Sequence, residues 1–243
     1  EVVEDEHGGY MLNSKDMCLL PRLPDLLNLG MDSLKVEGRN KTEYYAAVVA
    51  RTYRQAIDDY YSDPRHWDFR HYMDDLYTLQ NRGYCLGFHD GKLTNISQNY
   101  EYTRTLGDWL FAGSIVEWQG NQAIFEIRNY IDKGEFIEFL LPGTLDNLRI
   151  TFDEFEDADS GEITAKVSAG QGKKIRIDFN KCKIQYCRNE KEEPKTVPEL
   201  NIENIKELLP QYCIARKPAP LTGENRTMLD HKKAEFTQLC NRE

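Results

Sequence analysis

What the sequence lacks narrows the field first. No apolar run approaches the ~18 residues that a membrane-spanning helix needs, and no charged-then-apolar leader opens the chain. Neither phosphate-cradling glycine motif is present, nor a His-Glu-x-x-His zinc-peptidase helix, nor a Gly-x-Ser-x-Gly nucleophile elbow. The five histidines (His7, His66, His71, His89 and His231) stand in turn-like or connector contexts, where surface roles are common. Six cysteines (Cys18, Cys85, Cys182, Cys187, Cys213 and Cys240) are scattered without a compact framework. That argues against a disulfide scaffold and for a reduced, cytoplasmic setting. Cys182 and Cys187 are spaced like half a zinc site, but no second pair follows at zinc spacing.

What remains is the composition of a soluble globular chain: 243 residues, 40% hydrophobic and 30% charged, enough for one or two domains. The formal net charge of −10 is unevenly spread. Residues 105–165 carry 3 Lys/Arg against 13 Asp/Glu, whereas residues 166–243 carry 16 against 11. Nucleic-acid affinity comes mainly from cations on phosphates, so the acidic middle is a poor surface for RNA.

Periodicity divides the chain. "GYMLN" at 9–13 reads as a strand, and "SKDMCLLPRLPDLLNLG" as one or two short helices. There Pro24 suits a first helical turn and Gly30 a C-terminal cap. "DSLKVEG" reads as the next strand, with Leu34 and Val36 on one face. Thr42 caps a long helix to about Tyr61, with Tyr45, Val49, Tyr53 and Ile57 four apart and Val48 and Ala56 widening the stripe. Strand, helix, strand, helix implies parallel βαβ units. Residues 1–63 are too few for a (β/α)8 barrel, which takes ~250 residues; with Glu1 in place of Met, they read as its last part, the other strands lying upstream. Residues 64–104 form an aromatic-rich connector. From Trp109 the period becomes two: "LFAGSIVEW", "QAIFEIRN", "FIEFLLPG", "LRITFDEF" and "KKIRIDF" are short strands joined by turns, giving a small antiparallel β-barrel over 105–187. "RNEKEEPKTVPE" is a charged linker, "IENIKELLPQY" a short helix, and the polar end of 188–243 has no assigned role.

Two expected strand ends carry chemistry: Asn13-Ser14-Lys15-Asp16 and Glu37-Gly38-Arg39. On neighbouring parallel strands they would lie side by side at the end of the sheet where α/β proteins bind ligands. Arg39 could then clamp an anionic small molecule, with Lys15 adding charge. The competing reading is structural: Ser14 caps, Asp16 neutralises a helix start, and Glu37 pairs with Arg39 or Lys15. Gly38 permits an unusual backbone angle or a close approach. Tyr44 and Tyr45, like "NYEY" at 99–102, could stack on bases or fill a core. Cys18 could join cysteines from elsewhere on an iron–sulfur cluster, or be a small buried residue.

Taken together, "EDEHGGYMLNSKDMCLL", "LGMDSLKVEGRNKTEYYAAVVARTYRQAIDD", "NRGYCLGF" and "QNYEY" resemble the collagenase-like peptidase family of unassigned type, peptidase family U32. Within it the likeness is greatest to proteins of wobble-uridine hydroxylation that work with prephenate, and it spans about residues 1–180. The resemblance implies a TIM-type barrel followed by a small β-barrel, and hydroxylation of the tRNA wobble uridine to 5-hydroxyuridine by a prephenate-derived route. It implies catalytic roles for Glu37, Arg39 and Lys15, and substrate contacts from Asn13, Ser14, Asp16, Lys35 and Tyr44. An iron–sulfur cluster is implied for the full-length protein, its ligands mostly upstream, with Cys18 a further candidate. The expected partners are tRNA and a small anionic cosubstrate, with no membrane, and the segment alone is expected to be inactive. Two alternatives remain: proteolysis, as the family's name suggests, or an accessory module that binds RNA or protein.

Overall fold

The computed structural model describes residues 3–5, 8–10, 13–89, 91–100, 105–170, 172–187 and 199–241. Most of the charged linker at 188–199, the end of the first expected strand at 11–12, His7, and Glu101 and Tyr102 of "NYEY" lie outside the described residues. In chain order, a hairpin of β1 (Val3–Asp5) and β2 (Gly8–Tyr10) precedes β3 (Asp16–Met17), a 3-10 turn at Leu20–Arg22 and helix α1 (Leu23–Asn28). Helices α2 (Glu43–Ser62) and α3 (Arg70–Tyr77) lead to β4 (Tyr84–Cys85). A run of strands follows: β5 (Trp109–Gln119), β6 (Gln122–Ile127), β7 (Ile131–Asp132), β8 (Phe136–Leu140) and β9 (Asn147–Thr151). It continues through β10 (Phe155–Asp157), β11 (Ile163–Thr164), β12 (Lys166–Val167), β13 (Lys174–Asp178) and β14 (Lys183–Cys187). Helix α4 (Ile202–Leu208), β15 (Ile214–Pro218) and helix α5 (Gly223–Cys240) come last. These elements fall into two compact units, residues 1–36, 60–108 and 219–243 in one and residues 37–59 and 109–218 in the other.

In the first unit, Pro24 sits in the opening turn of α1, where its missing N–H costs nothing. Gly30 ends it at φ +73°, its N–H donating to Leu27 O at 3.0 Å. Leu20, Leu23 and Leu27 are buried beneath. β3 and β4 pair in parallel, Asp16 beside Tyr84 and Met17 beside Cys85. Helix α5 starts at Thr222, whose side-chain oxygen accepts from Asn225 N at 3.3 Å. Leu229, Lys232, Phe236 and Cys240, three and four apart, form its buried stripe, and Phe236 packs 5.6 Å from the Tyr84 ring. The polar end of the chain is thus a docked helix, with a stripe too narrow to stand out in the composition.

The expected strand "DSLKVEG" at 32–38 is not formed: these residues join no sheet, and Val36 is exposed. Apolar alternation favours a strand only where a neighbour can take its backbone N–H and C=O groups, and among the described residues none lies alongside. β3 and β4 are the one parallel pair in those residues, so the expected barrel part is not seen here.

In the second unit, residues 43–59 of α2 begin after Thr42, which caps as expected by accepting from Tyr45 N at 3.4 Å. The buried stripe is Tyr44, Val48, Val49, Thr52 and Ala56, turned by one residue from the expected one. Tyr44 stacks on Phe111 with ring centroids 6.3 Å apart. Tyr45 and Tyr53 stay half-buried, which suits rings with a polar tip.

A nine-stranded sheet dominates this unit, in the order β11-β10-β13-β6-β5-β15-β8-β9-β14. It is a large antiparallel sheet with two free ends, not a closed barrel. β15 comes last in sequence yet lies between β5 and β8, antiparallel to both. Ile115, Phe125, Ile137, Phe139, Leu148, Ile150 and Ile177 fill one core, with Ile205 of α4 against them. Alternation along each strand sends every second residue there.

Candidate functional site

The Asn13-Ser14-Lys15-Asp16 segment is pinned by its backbone on both sides. Lys15 N donates to Ser97 O and Asp16 N to Gly83 O, each at 2.9 Å, and Asn99 N donates to Asn13 O at 2.9 Å. Asn13 Nδ2 donates to Asn99 O at 2.7 Å, and Gln98 Nε2 to Ser14 Oγ at 3.4 Å. The turn Asn81-Arg82-Gly83 is the hub. Asp16 Oδ2 accepts from Arg82 N at 2.9 Å, and Oδ1 lies 3.3 Å from Arg82 Nη2. Asn81 Oδ1 accepts from Gly83 N at 2.9 Å, and Asn99 Nδ2 donates to Arg82 O at 3.1 Å. Asp16 therefore neutralises an arginine rather than a helix start.

Two side chains of α5 close this cluster. Lys15 Nζ lies 2.5 Å from Glu235 Oε1, and the buried Lys232 donates to Asn81 O at 2.7 Å. Burial is the main cause that holds the Lys232 amine down at about 8; Asp16 opposes the shift and Lys15 adds to it.

Glu37, Gly38 and Arg39 form a local turn in the second unit. Glu37 Oε1 accepts from Arg39 N at 3.2 Å, and Lys41 N donates to Gly38 O at 2.9 Å. The Glu37 carboxylate lies 3.8 Å from the Arg39 guanidinium, their side chains 63% and 85% exposed. Tyr45 Oη donates to Glu37 O at 3.2 Å. A Cβ at residue 38 would sit 2.9 Å from the Tyr45 ring, so this glycine serves close approach rather than an unusual backbone angle. The two motifs fall in different compact units. Lys35 is exposed, and Tyr44 belongs to the helix–sheet core.

Cys18 is buried, its N–H donating to Cys85 O at 2.9 Å. Among the described residues no three His, Cys, Asp or Glu side chains group closely enough to hold a metal ion. Burial pushes the Cys182 and Cys213 thiols up to about 12.

Sequence reasoning missed Lys232, Glu235 and the Asn81–Gly83 hub because their pairing spans most of the chain. It also missed a ladder across β15, β8 and β9. There the buried Glu138 takes Arg149 Nη2 at 2.6 Å and Arg216 Nη2 at 3.1 Å. The guanidinium groups lie 4.1 Å from the Phe136 ring and 4.3 Å from the Trp109 ring. A lone acid inside the apolar run "FIEFLL" was the available signal.

With this geometry in view, comparison with known proteins gives the following. Residues 1–99 match peptidase family U32, and residues 108–190 match the peptidase family U32 C-terminal domain. Escherichia coli (strain K12) tRNA hydroxylation protein P is 36% identical over 157 residues, which is 64% of this chain and 34% of that protein. Bacillus subtilis (strain 168) tRNA hydroxylation protein P1 is 27% identical over 177 residues, 72% of this chain and 42% of that protein. An uncharacterized protease of Methanocaldococcus jannaschii is 30% identical over 95 residues, 39% of this chain and 22% of that protein. The chain thus spans about a third of the length of the curated relatives it matches. No solved structure matches it.

Proposed function

Because this chain belongs to peptidase family U32, and because relatives named for tRNA hydroxylation match much of its length, we propose that it is part of a tRNA-modifying enzyme that hydroxylates the wobble uridine. The likeness to those relatives carries the reading. Prephenate, a dicarboxylate, is the cosubstrate in this proposal, and the TIM-type barrel is the fold of the whole enzyme.

The residues fit roles in such chemistry. Arg39 has an exposed guanidinium already steered by Glu37, the arrangement that a bidentate grip on a carboxylate needs. Glu37 orients Arg39 or serves as a base. Lys15, in the other unit, is by itself a candidate cation for an anionic cosubstrate, with Asn13 and Ser14 shaping the loop that carries it. Asp16 and Arg82 hold that loop to its neighbour. Lys35 is exposed and free to meet phosphate, whereas Tyr44 contributes by seating α2. In this proposal an iron–sulfur centre of the whole enzyme draws most of its ligands from outside this chain. The 243-residue chain alone is expected to be inactive.

Proteolysis is the second reading, favoured by the family's name and by the archaeal relative named as a protease. The two separate in one experiment. With Arg39→Ala in the native gene, 5-hydroxyuridine in bulk tRNA, read by nucleoside mass spectrometry, is expected to fall at least tenfold. Unchanged tRNA together with a loss of gelatin cleavage would instead favour the peptidase.

A further inference from the structure

The polar cluster of the first unit becomes strongly cationic once Glu235 is set aside. Lys15, Lys232 and Arg82 face two carboxylates, Asp16 and Glu235. Arg82 pairs with Asp16, Lys232 donates to the Asn81 carbonyl, and Glu235 is the carboxylate that meets Lys15. Lys232 and Glu235 are three residues apart on α5, on the same helix face.

The Lys15–Glu235 pair is lopsided: 5% of the Lys15 side chain is exposed, against 38% of Glu235. The carboxylate thus covers the ammonium from the solvent side. Glu235 can swing away about its own side-chain bonds while Leu229 and Phe236 keep α5 docked. Exchange of one carboxylate for another preserves the charge balance, so the buried Lys15 ammonium is not left without a counter-charge.

We propose that Glu235 is the resident counter-ion of an anion site at Lys15, and that a small carboxylate-bearing ligand enters by taking its place. This rests on the reading that Lys15 holds the anionic cosubstrate, and it makes Glu235 the residue that sets how tightly that ligand binds. Glu235 lies beyond both segments that match the family, so the tail of the chain becomes part of the site.

The full 243-residue chain, titrated by calorimetry with prephenate and separately with malonate, tests it. Glu235→Gln is expected to tighten carboxylate binding about tenfold, Glu235→Asp to fall between, and Lys15→Met to abolish binding in either background. A ligand-free readout accompanies it: acetic anhydride labelling should modify Lys15 at least fivefold faster in Glu235→Gln, with exposed Lys35 as the unchanged reference. A thermal melt checks that the variants are folded. An unchanged Lys15 labelling rate, or weaker binding of both ligands by Glu235→Gln, overturns the proposal. So does the absence of binding of either ligand by every variant. If malonate follows the expected pattern and prephenate binds nowhere, the anion site stands and the prephenate reading falls.

Discussion

At the scale of single residues, buried charge decides more than the exposed motif does. Glu138 is held by two guanidinium groups and is 3% exposed. Glu138→Gln leaves two cations without their counter-charge, and breaking a buried pair costs about 3–5 kcal/mol; urea unfolding should show a loss of that order. Arg39→Ala, at an 85% exposed side chain, should change stability by less than about 0.5 kcal/mol, so its effect on tRNA reads function alone. Lys232 gives a pH signature. Its amine titrates from 10.5 when unfolded but near 8 when folded, so between those values the unfolded chain holds the extra proton. Stability contributed through Lys232 therefore rises from pH 8 towards 10.5. The urea midpoint of Lys232→Met, compared with that of the unaltered protein across that window, should lack this gain. Arg39, whose partner Glu37 is two residues away, was legible in the sequence; Glu138 and Lys232 were not, because Arg216 and Asn81 lie far along the chain, as Glu235 does from Lys15.

At the scale of elements, local signals worked where local forces suffice. The cap at Thr42, the proline inside α1 and the glycine after it each act within a few residues, and each was legible. The strand expected at 32–38 failed because pairing is not local. The stripe of α2 was misread by one position because Tyr44 on Phe111 outweighs the strict spacing of four. β15 was missed because "IARKP" is short and charged, although it fills the middle of the sheet. Helix α5 was missed because charged residues outnumber its stripe. Phe236, 1% exposed, is the anchor of that stripe: Phe236→Ala should cost about 3–5 kcal/mol. Hydrogen exchange should then show protection lost first across residues 223–240.

At the scale of the whole molecule, the two units differ in what the sequence revealed. The β-rich class of the second was legible from period-two patterning, while its open strand order depended on the late insertion of β15 between β5 and β8. The clusters at 13–16 and 37–39 were legible as polar motifs, but their surroundings were not: in one, half-buried, Lys15 is covered by Glu235 of α5, and the other is an exposed turn. Likeness to tRNA-hydroxylating relatives supplies the functional reading that spacing alone left open. Mass spectrometry of tRNA nucleosides from the source organism, with and without an intact gene for this chain, tests that reading most directly. We expect 5-hydroxyuridine and its derivatives at the wobble position to disappear when the gene is inactivated and to return when it is restored; wobble uridines hydroxylated to the same extent without the gene would contradict the account.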